Sequence, residues 1–146
     1  MAKMTFKVAG RSEAPARIAV QARQFKLVVD EPPALGGEDR GANPVEYILA
    51  GFAGCLNVMA HLIAAEMGVK LRRLEVEASG ELDTDRLLGK SKSVRAGFQE
   101  IRVALKVDSD AAPATLERWL AAVKDRCPVS DNLTNSTPVQ IGFGRW

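Results

Sequence analysis

Cysteine is scarce in this chain, two among 146 residues, and histidine is scarcer, with one. Two cysteines cannot make a disulfide scaffold. Charge of one sign is lacking as well: 20 Lys and Arg stand against 18 Asp and Glu, a net of +2. That balance excludes a dedicated nucleic-acid binder, whose affinity rests on dense neutralisation of phosphates. The opening MAKMTFKVAG contains no apolar signal core, so a cytoplasmic protein is expected. In that compartment a cysteine pair serves redox chemistry, catalysis or packing. What is present is ordinary for a globular protein: 47% hydrophobic and 26% charged residues, values that exclude disordered and collagenous chains. The length suits a single domain over residues 1–146, able to bury a core without disulfides or metal staples.

Periodicity supplies the elements. Phe6 and Val8, then Ile18, Val20 and Ala22, then Phe25, Leu27 and Val29 recur at period two, as half-buried strands do. Gly10, Ser12 and Pro15 read as the turn between the first two runs, and DEPPALGGEDRG (30–41) reads as a loop. Asn43-Pro44-Val45-Glu46 then opens a helix: Asn as N-cap, Pro at the first helical position, Glu three residues after the cap. The helix runs to Met67, with Gly68 as its stop. Almost every position in it is apolar, which predicts burial on all sides. Tyr47 to Ala65 carries no formal charge, and its 19 residues would span roughly 28 Å. Asn57, His61 and the small residues Ala50, Gly51, Ala53 and Gly54 argue against a membrane span, so no membrane partner is expected.

Period two returns at Leu74, Val76, Ala78, Gly80 and Leu82, with Glu75, Glu77, Ser79 and Glu81 on the other face. Asp83 to Arg95 reads as a turn or short helix, and its cations Arg86, Lys90, Lys92 and Arg95 as a solvated loop rather than an anion-binding surface. Ile101, Val103, Leu105 and Val107 predict another strand. Pro113 begins a second helix with Lys124 and Arg126 in its last turn, matching the helix dipole. Val139, Ile141 and Phe143 predict a closing strand. The order β-β-β-α-β-β-α-β argues for an α+β fold.

Few motifs carry chemistry. LLGKS (87–91) ends like a phosphate-binding loop, but Thr84 stands where that loop needs glycine. Cys55, His61 and Cys127 are the only soft metal ligands, and six residues of helix rotate His61 about 240° from Cys55, so no metal is expected. The same rotation argues against His61 as a base for Cys55, and His61 reads as a buried or edge residue with one hydrogen bond. Cys55 lies on the stripe Ile48, Phe52, Cys55, Met59, Leu62. Cys127 ends the stripe Leu116, Leu120, Val123 just before Pro128. Each suits a small core residue as well as a nucleophile. Two helices so packed can bring the sulfurs within disulfide reach.

GANPVEYILAGFAGCLNV (41–58) together with CPVSDNL (127–133) resembles the OsmC/Ohr family of osmotically inducible and organic hydroperoxide resistance proteins. The likeness extends over nearly the whole chain. It implies an OsmC-like fold of two core helices on antiparallel sheets, an intertwined homodimer with active sites at the subunit interface, and a stress-response peroxidase. Carried over, Cys55 resembles the peroxidatic cysteine and Cys127 the resolving one, with a dithiol such as a lipoyl protein as reductant and no further cofactor. In the family an arginine near the N-terminus holds the thiolate, itself held by a glutamate directly after the helix-opening proline. Here Val45 occupies that position, and Glu46 suits the capping box. Arg23 is the candidate cation, with Arg17 and Arg40 as rivals. Val45 also favours an alternative: a dimeric module that binds a small hydrophobic ligand against Val45, Phe52 and Met59, with little peroxidase activity.

Overall fold

The computed structural model describes residues 3–144. They form two compact units, one up to Ile48 and one from Leu49 onward, and the division falls inside a single helix.

The first unit is an antiparallel meander of β1 (Ala9–Ala14), β2 (Arg17–Ala22) and β3 (Phe25–Val29). Its first strand departs from the reading above. Phe6 and Val8 lie before it and are exposed, Gly10 and Ser12 lie within it, and the turn falls at Pro15-Ala16. Gly10 suits a strand here because a Cβ would meet the Ile18 side chain at 2.6 Å. The glycine-rich loop after β3 is wound around Asp30, 1% exposed, whose carboxylate accepts the backbone N–H groups of Glu31, Glu38 and Arg40. Gly37 passes so close to the Glu31 carbonyl that a Cβ would sit 1.8 Å from that oxygen, which leaves glycine as the residue that fits.

The loop delivers the chain to α1 (Pro44–Glu66). The expected capping box is present: the Asn43 side chain accepts the Glu46 N–H at 2.9 Å, and the Glu46 carboxylate accepts the Asn43 N–H at 2.8 Å. Tyr47 Oη donates to the Val28 carbonyl and ties the first turn of α1 to β3.

The second unit holds the core. After α1 come β4 (Leu71–Glu81), the single turn α2 (Thr84–Leu87), β5 (Glu100–Ser109), α3 (Pro113–Arg126) and α4 (Pro128–Thr134). β4 and β5 pair antiparallel from Leu71↔Ser109 to Glu81↔Glu100, with a bulge at Arg72. Their alternation is as expected: Leu74, Val76, Ala78 and Gly80 turn one way with Ile101, Val103, Leu105 and Val107, while the opposite face carries the charges. Leu56, Ala60, Ile63 and Ala64 of α1 and Trp119 and Val123 of α3 form the buried cluster, against which the apolar face of the sheet packs. Leu56, Ile63 and Val123, so buried, each contribute about 1.5–3 kcal/mol. Trp119 Nε1 donates to the Ala60 carbonyl at 2.9 Å, which fixes the register of α3 along α1.

The architecture is α+β with two antiparallel sheets and helices, as the sequence order argues. Two expectations are corrected. α1 is not buried on all sides: its core stripe is buried, but Ile48, Val58 and Leu62 are exposed, Val58 by 62%. No strand forms at Val139, Ile141 and Phe143. Residues 136–144 carry no regular structure, and those three side chains are exposed. Alternation marks a segment that fits a sheet, but a strand also needs an edge to pair with. Beyond Cys127 the chain is helical, because Cys127-Pro128 repeats the cap-then-proline opening seen at Asn43-Pro44.

Candidate active site

Cys55 comes from the middle of α1 and Cys127 from the joint between α3 and α4, both within the second unit. Cys55 is half-buried, flanked on its helix by the core residue Leu56. Cys127 is 1% exposed, at the end of the stripe that runs through Leu116, Leu120 and Val123. Both are free thiols, and their sulfurs stand 3.0 Å apart, the Cys127 thiol donating to Cys55 Sγ. A disulfide needs about 2.05 Å, so a movement of about 1 Å would join them.

Cys127 has a second partner. As N-cap of α4 it accepts the Ser130 N–H at 3.4 Å. Burial pushes the Cys55 thiol up, and the adjoining Cys127 sulfur adds to this, while the backbone N–H of Val129 works the other way. The second unit by itself thus favours a neutral thiol at Cys55. The contribution of α4 to this site is the part that sequence reasoning missed. Its signal was Pro128 directly after a potential capping residue, the rule already applied at Asn43-Pro44.

His61 lies on the exposed side of α1 rather than at a buried or edge position with a hydrogen bond. Its rotation from Cys55 is as the helix geometry requires. The stripe that holds Cys55 is graded: Phe52, Cys55 and Met59 pack against the core, while Ile48 and Leu62 at its ends are exposed.

The candidate cations belong to the first unit, where they differ in how firmly they are held. Arg23 takes the first position of the two-residue turn between β2 and β3 with φ of 55°. Its guanidinium lies 5.0 Å from the centre of the Phe25 ring, and its carbonyl accepts the Gln21 amide. Arg17 is bonded to Glu38 at 2.6 Å and pairs with Glu13 at 3.4 Å. The hydrogen bond that Arg17 donates to Glu38, reinforced by the charges of Glu38, Asp30 and Glu13, pushes the guanidinium up from its ordinary value. Arg40 is exposed and reaches Glu38 at 3.5 Å. Glu46, as expected, is engaged with Asn43. Val45, where the family resemblance places a carboxylate, is half-buried.

The described residues thus form an α+β chain with a long capped helix and two free sulfurs in contact across a helix pair. Residues 36–142 match the family described as OsmC-like protein, and the chain belongs to that family. It is 23% identical over 118 residues to a protein named hydroperoxide reductase of Mycoplasma pneumoniae, covering 81% of this chain and 79% of the relative. Among solved structures it is similar to an OsmC-like protein of Mycoplasma pneumoniae, with TM-score 0.78 and 19% identity over 90% of this chain and 89% of that one. It is also similar to an organic hydroperoxide resistance protein of Legionella pneumophila, with TM-score 0.66 and 21% identity over 92% of each chain. The organic hydroperoxide resistance protein of Bacillus subtilis matches with TM-score 0.60 and 24% identity over 90% and 91%.

Proposed function

We propose that the chain is a cytoplasmic, homodimeric thiol peroxidase that reduces organic hydroperoxides. The observation that carries this reading is the contact of two free sulfurs, 3.0 Å apart, on separate helices. The Cys55 thiolate attacks the terminal oxygen of the O–O bond. The alcohol leaves after taking a proton, and Cys55 becomes a sulfenic acid. The Cys127 thiol then attacks that sulfur, water leaves, and a Cys55–Cys127 disulfide forms. A dithiol, for which a lipoyl protein is suited, restores both thiols by exchange and is itself oxidised to a disulfide. Because burial disfavours charge at Cys55, the thiolate requires a guanidinium. Arg23 is the candidate that the resemblance supplies, with Arg17 and Arg40 as rivals, and in a homodimer either copy can provide it.

The test is peroxide consumption by the reduced protein with intact-mass analysis. We expect cumene hydroperoxide to be consumed and the mass to fall by two hydrogen atoms, about 2 Da. Cys55→Ser should consume none, and Cys127→Ser should complete about one turnover and stop as sulfenic acid. A protein that retains both thiols unchanged and carries a bound lipid-like mass instead would overturn the peroxidase reading in favour of a binding module.

A further inference from the structure

The cations of the β4–β5 hairpin, from Leu71 to Ser109, fall into two groups. Those on the β4–β5 sheet are neutralised: Arg72 pairs with Asp108 and Asp110, Arg73 with Glu75, Arg102 with Glu81 and Glu100, and Lys106 with Glu77. Those in the connection at the sheet's end, residues 82–99, are not. Arg86, Lys90, Lys92 and Arg95 have no carboxylate within ion-pair distance among the described residues. Arg86 reaches only the Ser91 carbonyl, at 3.5 Å. The two carboxylates nearby in sequence are Asp83 and Asp85, and Asp83 is engaged in capping α2 through the Asp85 N–H.

Between these cations stand Leu87 and Leu88, 57% and 53% exposed, at the end of α2. Lys90, Lys92 and Arg95 follow them in sequence and are exposed. Two adjacent exposed leucines in a hairpin connection that also carries four cations without ion pairs are the chemistry of an interfacial anchor. Apolar side chains enter the boundary between headgroups and acyl chains, while the cations meet anionic headgroups. A nucleic acid fits less well. Phosphates would use the cations but leave the leucines in water, and the aromatic side chain of the segment, Phe98, is already packed against β4, where a Cβ on Gly80 would lie 2.6 Å from its ring.

We propose that the β4–β5 tip, through Leu87, Leu88, Arg86, Lys90, Lys92 and Arg95, docks the protein on anionic lipid surfaces. As sequence alone, these cations read as a solvated loop. Their lack of partners and the leucines beside them change that reading. The proposal stands apart from the thiol chemistry, and its test reads no peroxidase activity.

The experiment is co-sedimentation of the full chain with phosphatidylcholine vesicles made with and without phosphatidylglycerol, at low salt and at about 1 M, where the Debye length falls to about 3 Å. We expect binding to the anionic vesicles only, released at high salt. Lys90→Gln with Lys92→Gln should weaken it about thirtyfold, each cation near the surface contributing about a fivefold factor. Leu87→Ser with Leu88→Ser should weaken it at least about tenfold. Unchanged circular dichroism and thermal midpoints show that the variants keep their fold. Failure of the wild type to sediment with anionic vesicles at low salt overturns the proposal. It is equally overturned if the leucine variant binds as well as the wild type while duplex DNA captures the protein in a lysine-dependent way, which would make the tip a phosphate-backbone surface.

Discussion

At Cys55 two influences compete. Burial and the neighbouring sulfur of Cys127 push the thiol up, and the Val129 N–H draws it down by less. An ordinary thiol, with pKa about 8.5, is about 3% thiolate at pH 7, and a raised one is less. Peroxidase chemistry therefore requires a positive charge that the second unit does not itself provide. Alkylation of Cys55 by iodoacetamide as a function of pH, in a Cys127→Ser background, measures this directly. We expect a midpoint below about 8.5 in that protein, and a midpoint above it once the responsible arginine is replaced, comparing Arg17→Gln, Arg23→Gln and Arg40→Gln. A midpoint that already lies above about 8.5 before any arginine is changed removes the nucleophile. The identity of that arginine is not written in the sequence, since each of the three stands in a polar stretch. The structure separates them by how they are held: Arg17 between two carboxylates, Arg23 against Phe25, Arg40 in the open.

At the scale of elements, the capped ends were the most legible. Asn43-Pro44 and Glu46 announce the start of α1 because the first turn of a helix has unsatisfied N–H groups that only certain side chains can meet. The same logic at Cys127-Pro128 starts α4, and a cysteine as capping acceptor conceals it, sulfur being a weak acceptor. The strands of the second unit were legible by alternation, since a half-buried sheet demands it. The register between helices was not. It depends on a single buried bond, Trp119 Nε1 to the Ala60 carbonyl, and on the clamp of Arg126 by both carboxylate oxygens of Glu66, neither of which leaves a periodic trace. Trp119, 2% exposed, lies on α3 eight positions before Cys127 and so fixes the helix that carries that sulfur. Trp119→Phe keeps an aromatic ring but loses the indole donor and part of the volume. It should cost roughly 1–3 kcal/mol, read as a lower urea midpoint at unchanged slope.

For the whole molecule, the perturbed carboxyls set an acid limit. The hydrogen bond from Arg17 lowers Glu38, that from Arg126 lowers Glu66, and that from Arg72 lowers Asp108. Asp30 is pushed up by burial, but the N–H groups of Arg40, Glu31 and Glu38 and the charge of Arg17 outweigh this and leave it lowered. A carboxyl lowered in the folded state adds stability above its unfolded pKa of about 4, and that stability is lost as the pH falls through the folded value. The thermal midpoint should therefore hold nearly level from about pH 7 to 5 and fall steeply below about pH 4. Asp30→Asn should lower the midpoint at pH 7 by several degrees and flatten the acid fall, which scanning calorimetry over a pH series resolves.

Sequence alone determined the class of fold, the helix carrying Cys55, the sheet of β4 and β5, and the two cysteines as the residues of interest. These follow from local physics, namely periodicity, capping and residue chemistry, which act between neighbours along the chain. The tertiary structure decided the contact of the two sulfurs, the use of Asp30 to wind the glycine-rich loop, which cations are paired and which stand free, and the absence of a strand at Val139 to Phe143. Each of these is a relation between residues far apart in the chain, and a pattern can show that a side chain suits such a partner without showing that the fold supplies one.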